Sequence, residues 1–293
     1  MKIKNSLLLL LTAIIWGSAF VAQSVGMDYI GPFTFNCVRS ILGGLVLLPV
    51  IFARDGIEKK KTGMKPQTDK KMLLAGGISC GLILAAASSL QQFGLMTTSA
   101  GKGGFITAFY IVMVPVISLF FGKKSRLLIW LNVGIAMVGL YLLCITETFT
   151  IEKGDLLIFV CAIVFACHIL VIDHFSPHVD GVKMSCIQFF TSGIVCGICM
   201  LFFEEPQISA IFAAWLPILY AGVLSCGVAY TLQIVAQKGM NPTVASIILS
   251  FESVASVLTG WIVLRQRLSA REGVGCLLMF AAILLSQIPE KKK

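Results

Sequence analysis

The chain has 293 residues, of which 57% are hydrophobic and only 13% charged, against about 25% charged in an ordinary soluble domain. A mean hydropathy of +0.93 excludes a soluble globular protein. The net charge of +9 would suggest nucleic acid or acidic lipid in a soluble chain, but here the basic residues fall in short gaps between long apolar runs, which is the composition of an all-α integral membrane protein.

Ten apolar stretches of roughly 15 to 25 residues, most of them long enough to cross a ~30 Å hydrocarbon core as a helix, are predicted as spans along the chain. The first, 6–25, follows a basic MKIKN opening that resembles a secretory signal, but its length predicts a retained span. It carries Trp16. The second, 33–53, contains Arg39, and the third, 72–96, contains Ser88, Gln91, Gln92 and Phe93. Between the third and fourth lies AGKGGF, which has the look of a phosphate-binding loop. A Walker loop needs Ser or Thr after the lysine and a strand upstream; Gly103 follows Lys102 here, and the upstream segment is an apolar helix. The glycines are read instead as a tight turn entering the fourth helix, with Lys102 at the outer interface, reaching headgroups or water, and a direct substrate contact by Lys102 as the alternative. The fourth stretch, 103–121, carries Phe109 and Tyr110, and Pro115 is expected to interrupt it. The fifth is 127–145.

The sixth stretch, 156–172, holds His168, a residue type that titrates near physiological pH and that also serves as an interhelical hydrogen-bond donor. DHFSPHVD at 173–180 offers two histidines and two aspartates, but Pro177 breaks the helical spacing a metal site would use, and no metal is expected. The seventh, 184–203, includes Cys196 and Cys199 at redox-motif spacing. With no βαβ context they are read, like most of the ten cysteines, as small hydrophobes. In the eighth, 212–235, Cys226, Tyr230, Gln233 and the adjoining Gln237 recur every three or four residues and form a polar stripe at helical spacing. The ninth, 243–264, contains Glu252, the one carboxylate set well inside an apolar stretch. The tenth, 274–288, precedes a basic tail at 290–293. Lys and Arg favour alternate gaps, with Arg265, Arg267 and Arg271 as the exception, so the positive-inside rule predicts a multi-pass cell-membrane protein with both termini cytoplasmic.

The chain also repeats. At an offset of about 142, Leu90-Gln91 falls on Leu232-Gln233 and Phe109-Tyr110 on Phe251-Glu252; at about 149, AIIW at 13–16 falls on AIVF at 162–165. Two five-helix halves, 1–146 and 154–289, are therefore expected. Because five is odd, the second enters the membrane from the opposite side, the inverted-topology repeat used by alternating-access carriers.

IWGSAFVAQ at 15–23, Arg39 in the second helix, TTSAGKGGFITAFYIVMVPVISLFFG at 97–122 and NPTVASIILSFESVASVLTGWIVLRQRLS at 241–269 carry a resemblance. Over its whole length the sequence resembles the drug/metabolite transporter superfamily, EamA type, with two repeats and ten helices. It departs where the family usually has a glutamate after the fourth and ninth helices: Lys124 and Gln266 stand there. The resemblance implies secondary-active or facilitative transport of a small organic metabolite, amino-acid-like or related, with export favoured and no cofactor; broad-specificity drug efflux stands as the alternative, and a non-transporting membrane receptor or scaffold as the alternative outside transport. The expected partners are a small-molecule solute and the lipid bilayer, with no nucleic acid, and self-association as a homodimer is left open. No catalytic constellation is present, so an enzyme is not expected.

An ionisable or amide side chain inside a membrane helix is costly unless it faces protein or water, and so marks a candidate site. The candidate substrate-binding residues are Trp16, Arg39, Gln91, Gln92, Phe109, Tyr110, Tyr230, Gln233 and Glu252, with Glu252 and His168 as candidate proton-coupling groups. For Arg39 structural pairing or snorkelling stands beside ligand binding, and for Glu252 a packing role stands beside a protonatable or amine-binding one.

Overall fold

A computed structural model describes residues 2–62, 69–122, 127–144, 152–264 and 269–286. The basic loop around Lys124, Arg265 to Arg267 with Gln266, and the tail at 290–293 lie outside the described residues. Among those described there is no strand.

The first half of the chain forms α1 (Lys2–Gly26), α2 (Pro32–Thr62), α3 (Lys70–Leu95), α4 (Ala100–Thr107), α5 (Tyr110–Phe120) and α6 (Leu127–Cys144). Then come α7 (Lys153–Phe175), α8 (Gly181–Phe203), the short α9 (Ile208–Ala213) and α10 (Trp215–Leu219), a π-helical segment (Tyr220–Tyr230), α11 (Thr231–Gln237), α12 (Pro242–Leu249), α13 (Glu252–Leu264) and α14 (Ala270–Ser286). Among the described residues, eight helical stretches are long and apolar enough to cross a membrane. The expected spans at 127–145 and 274–288 correspond to α6 and α14, of 18 and 17 residues, each ending beside residues outside the description.

Local chemistry sets the starts. Asp69 caps α3 by accepting from the backbone of Lys71 and Met72, and Asp180 caps α8 by accepting from Val182 and Lys183 at 2.9 and 3.0 Å. Asn241 caps α12, with Pro242 in the first turn, where its missing N–H costs nothing. Ser99 caps α4, and AGKGGF at 100–105 forms the first turns of that helix itself rather than the tight turn expected of its glycines.

Two long helices are broken, and neither break falls at a proline. The α4–α5 helix tightens at Ala108 and Phe109, where Phe109 N–H donates to Ile106 O at 3.1 Å and Ile111 N–H to Ala108 O at 3.0 Å. Pro115, expected to interrupt this helix, sits inside α5. The α12–α13 helix tightens at Ser250 and Phe251, where Phe251 N–H donates to Ile248 O and Ser253 N–H to Ser250 O, both at 3.2 Å. The hydroxyls of Ser246 and Ser250 turn back onto Thr243 O and Ile247 O, each at 2.8 Å, the local competition with the backbone ladder that bends helices.

Packing pairs α2 with α8, α3 with α7 and α8, α1 with α13 and the π segment, and α6 with α14. Small residues permit the closest approaches. A Cβ built on Gly17 would lie 2.4 Å from Glu252 O and 2.5 Å from Ala255 Cβ, so α1 and α13 are in tight contact there.

Ion pairs tie helices at both ends. Lys183 reaches Asp55 at 2.8 Å and Arg54 reaches Asp180 at 3.4 Å, joining the end of α2 to the start of α8. At the far end of α3, Lys102 pairs with the buried Asp155 of α7, which also accepts from Thr98 at 2.8 Å and from the backbone of Glu152 at 2.9 Å. Lys102 was expected to reach headgroups or water; a carboxylate within hydrogen-bond reach holds it between helices instead.

Candidate functional site

A polar cavity lies where α1, α2, α3, α4, α5, α7, the π segment, α11 and α13 meet. Trp16, Arg39, Gln91, Tyr110, His168, Tyr230, Gln233 and Glu252, all singled out in the sequence, line it together. Phe20, Gln23, Thr107, Phe165, Ile169 and Ser225 complete the wall. Its volume is about 30 Å³, room for about two water molecules.

Several of the polar groups are held by neighbours. Glu252 begins α13 at the break and is 3% exposed; the hydroxyl of Tyr110, at the break in the other helix, donates to its Oε1 at 3.0 Å. Arg39 is 4% exposed; its Nη1 donates to Gln23 Oε1 at 2.7 Å, and its guanidinium lies 5.4 Å from the centroid of Phe35. Gln91 Nε2 donates to Thr107 Oγ1 at 3.1 Å. His168 Nε2 lies 2.9 Å from Gln188 Oε1, so the ring is held by an amide from α8 and its Nδ1 has no partner. Tyr230 packs between Trp16, at 4.5 Å between ring centroids, and His168 and Phe189, at 6.0 and 5.9 Å. Trp16 Nε1 and Gln233 Oε1 are enclosed without a hydrogen-bond partner. Buried polar atoms normally find partners, and these two in the wall have none among the described residues.

Two candidates lie elsewhere. Gln92 is fully buried beside Met27 rather than at the cavity, since adjacent helical residues point about 100° apart. Phe109, at the helix break, stacks edge-on against Phe159 with centroids 5.6 Å apart. The eighth-helix stripe also divides. Tyr230 and Gln233 face the cavity, whereas Gln237 donates to Ile169 O at 2.7 Å and Cys226 packs against Gly43. The cause is the π segment: residues five apart, not four, stack there, which brings Ser225 rather than Cys226 under Tyr230. Among the described residues no group of three or more His, Cys, Asp or Glu side chains is placed to hold a metal.

The model of the EamA-like transporter family matches the chain twice, over residues 3–145 and 152–287. The chain belongs to this family. It is a multi-pass membrane transporter, not an enzyme, and works in contact with lipid on a solute. A relative from Archaeoglobus fulgidus described as an uncharacterized transporter is 28% identical over 282 residues, covering 94% of this chain and 83% of the relative. The uncharacterized transporter YoaV of Bacillus subtilis is 22% identical, covering 97% of both, and the uncharacterized inner membrane transporter YedA of Escherichia coli is 23% identical, covering 93% of this chain and 87% of YedA. A solved crystal structure aligns at a TM-score of 0.78 and 15% identity over 98% of both chains, a likeness of fold alone.

Proposed function

We propose that this transporter carries a small organic metabolite, amino-acid-like or related, across the cytoplasmic membrane by alternating access, in the export direction, with two inverted five-helix halves rocking about the polar cavity. The carrying observation is the Tyr110–Glu252 hydrogen bond at 3.0 Å, which joins residues 142 apart in the chain, the same offset that superposes the two sequence halves. The double family match supports the two-half reading, as do the matching breaks at Ala108–Phe109 and Ser250–Phe251; broken helices at the midplane are how such carriers expose polar groups to a solute. Both termini are assigned to the cytoplasm on the distribution of Lys and Arg.

The substrate-binding residues on this reading are Trp16, Arg39, Gln91, Tyr110, Tyr230, Gln233 and Glu252, with Gln92 and Phe109 in supporting positions. Glu252 is the proton-coupling group, with His168 second, and the cavity at about 30 Å³ corresponds to a contracted stage of the cycle. A few charged and amide groups, Arg39, Glu252, Gln91 and Gln233, set among apolar side chains fit a specific small-molecule site; broad-specificity drug efflux is the alternative reading. The test is flux in proteoliposomes at several pH values for the wild type and Glu252→Gln. Flux that responds to pH only in the wild type supports the assignment; an identical response in the variant removes Glu252 as the proton site.

A further inference from the structure

A guanidinium withdrawn from water is ordinarily paired with a carboxylate, because the cost of burying an unpaired charge is several kcal/mol. Arg39 breaks that pattern. It is 4% exposed and lines the cavity, yet among the described residues it makes no ion pair and its one hydrogen-bond partner is the neutral amide of Gln23. Arginine offers five N–H donors in a planar fork, and Nη1 alone is engaged. The carboxylate in the same wall, Glu252, is held by Tyr110 instead. A second donor points the same way: the indole N–H of Trp16 is enclosed in the wall without an acceptor. The cavity therefore contains a permanent positive charge with no carboxylate partner among the described residues and an indole N–H with no acceptor.

From this we infer that the solute bears an anionic group, a carboxylate in the first instance, which docks on Arg39 with the Trp16 N–H as its second anchor. The inference rests on the transport reading of this cavity and names the chemistry it selects. Planar fork-to-carboxylate pairing is the geometry for which arginine is suited, and Phe35, beneath the guanidinium at 5.4 Å, holds the plane in place. Gln23 acts as a positioning residue that orients the fork without neutralising it. A neutral or cationic solute would leave Arg39 uncompensated when bound, which sets the specificity against those classes.

The experiment is a thermal-shift titration of the detergent-solubilised protein with pairs of probes that differ only in charge: phenylacetate against phenylacetamide, hexanoate against hexanamide, and leucine against leucinamide. Ligands that bind the folded state stabilise it by mass action. At least one carboxylate-bearing member is expected to stabilise the wild type more than its amide. Arg39→Gln should weaken that binding by about tenfold or more, the worth of a charge-assisted hydrogen bond. Lys238→Gln, which removes an exposed positive charge outside the cavity, should leave it unchanged. Trp16→Phe, which keeps an aromatic side chain and removes the N–H, should weaken it by about two- to tenfold, and decides the matter if Arg39→Gln does not fold. Stabilisation by the amides alone, equal binding to Arg39→Gln or, failing that, to Trp16→Phe, or no stabilisation by any carboxylate overturns the inference. Counterflow in proteoliposomes separates the two readings. A carboxylate that binds through Arg39 without moving keeps the anion site and removes transport, whereas Arg39-independent flux of an uncharged probe keeps transport and removes the anion site.

Discussion

At the scale of single residues, the arrangement turns on Tyr110 and Glu252, which brace each other at two helix breaks. Tyr110→Phe leaves the buried carboxyl without its described donor and is expected to cost about 1–3 kcal/mol of stability together with most of the transport. Calorimetry on the solubilised protein reads the first and proteoliposome flux the second; a variant with wild-type values in both would detach the pair from function. Glu252 and Arg39 were legible in the sequence because a charge among apolar residues is conspicuous. Gln23, Thr107 and Ser225 were not, since amides and hydroxyls are ordinary in membrane helices and only the fold aims them at the cavity. Gln91 and its neighbour Gln92 were indistinguishable for the same reason: periodicity says that they face different ways, not which of them faces the cavity.

At the scale of elements, close helix approach rests on a few glycines. Gly17→Ala places a methyl against Glu252 O and Ala255 Cβ and must push α1 from α13, at a typical overpacking cost of about 1–3 kcal/mol. Gly101→Ala meets no atom within 4 Å and is expected to be neutral or slightly stabilising. Thermal denaturation of the two variants side by side checks the contrast, and equal stability would show that the α1–α13 contact yields freely. Helix existence was readable from apolar run length. The length of α2 was not: it continues past its apolar part through Arg54 to Thr62, where straight-chain charged residues propagate a helix well. The π segment carried no signal either, because one extra residue per turn leaves composition unchanged, and the stripe drawn at α spacing therefore picked Cys226 in place of Ser225.

At the scale of the whole molecule, ion pairs sit at both ends, Lys183–Asp55 with Arg54–Asp180 at one and Lys102–Asp155 at the other. On the alternating-access account these are latches, and weakening one should shift the population toward the state open on that side. Asp155→Asn is expected to raise, and Asp55→Asn to lower, labelling of Thr107→Cys by an impermeant maleimide added outside cells, in a background without native cysteines; no difference between the two would separate the latches from gating. The inverted halves are proposed from the repeat offset of about 142, and the Tyr110–Glu252 hydrogen bond joins two residues at that separation. The most direct test of the account is solute flux in proteoliposomes, screened across amino acids, organic acids, nucleosides, sugars and cationic drugs, comparing the wild type with Glu252→Gln and Trp16→Ala. The account predicts that one chemical class moves with the wild type and is lost or strongly slowed in both cavity variants. Flux that is unchanged by both substitutions, or no flux for any class, would contradict the cavity as the transport site.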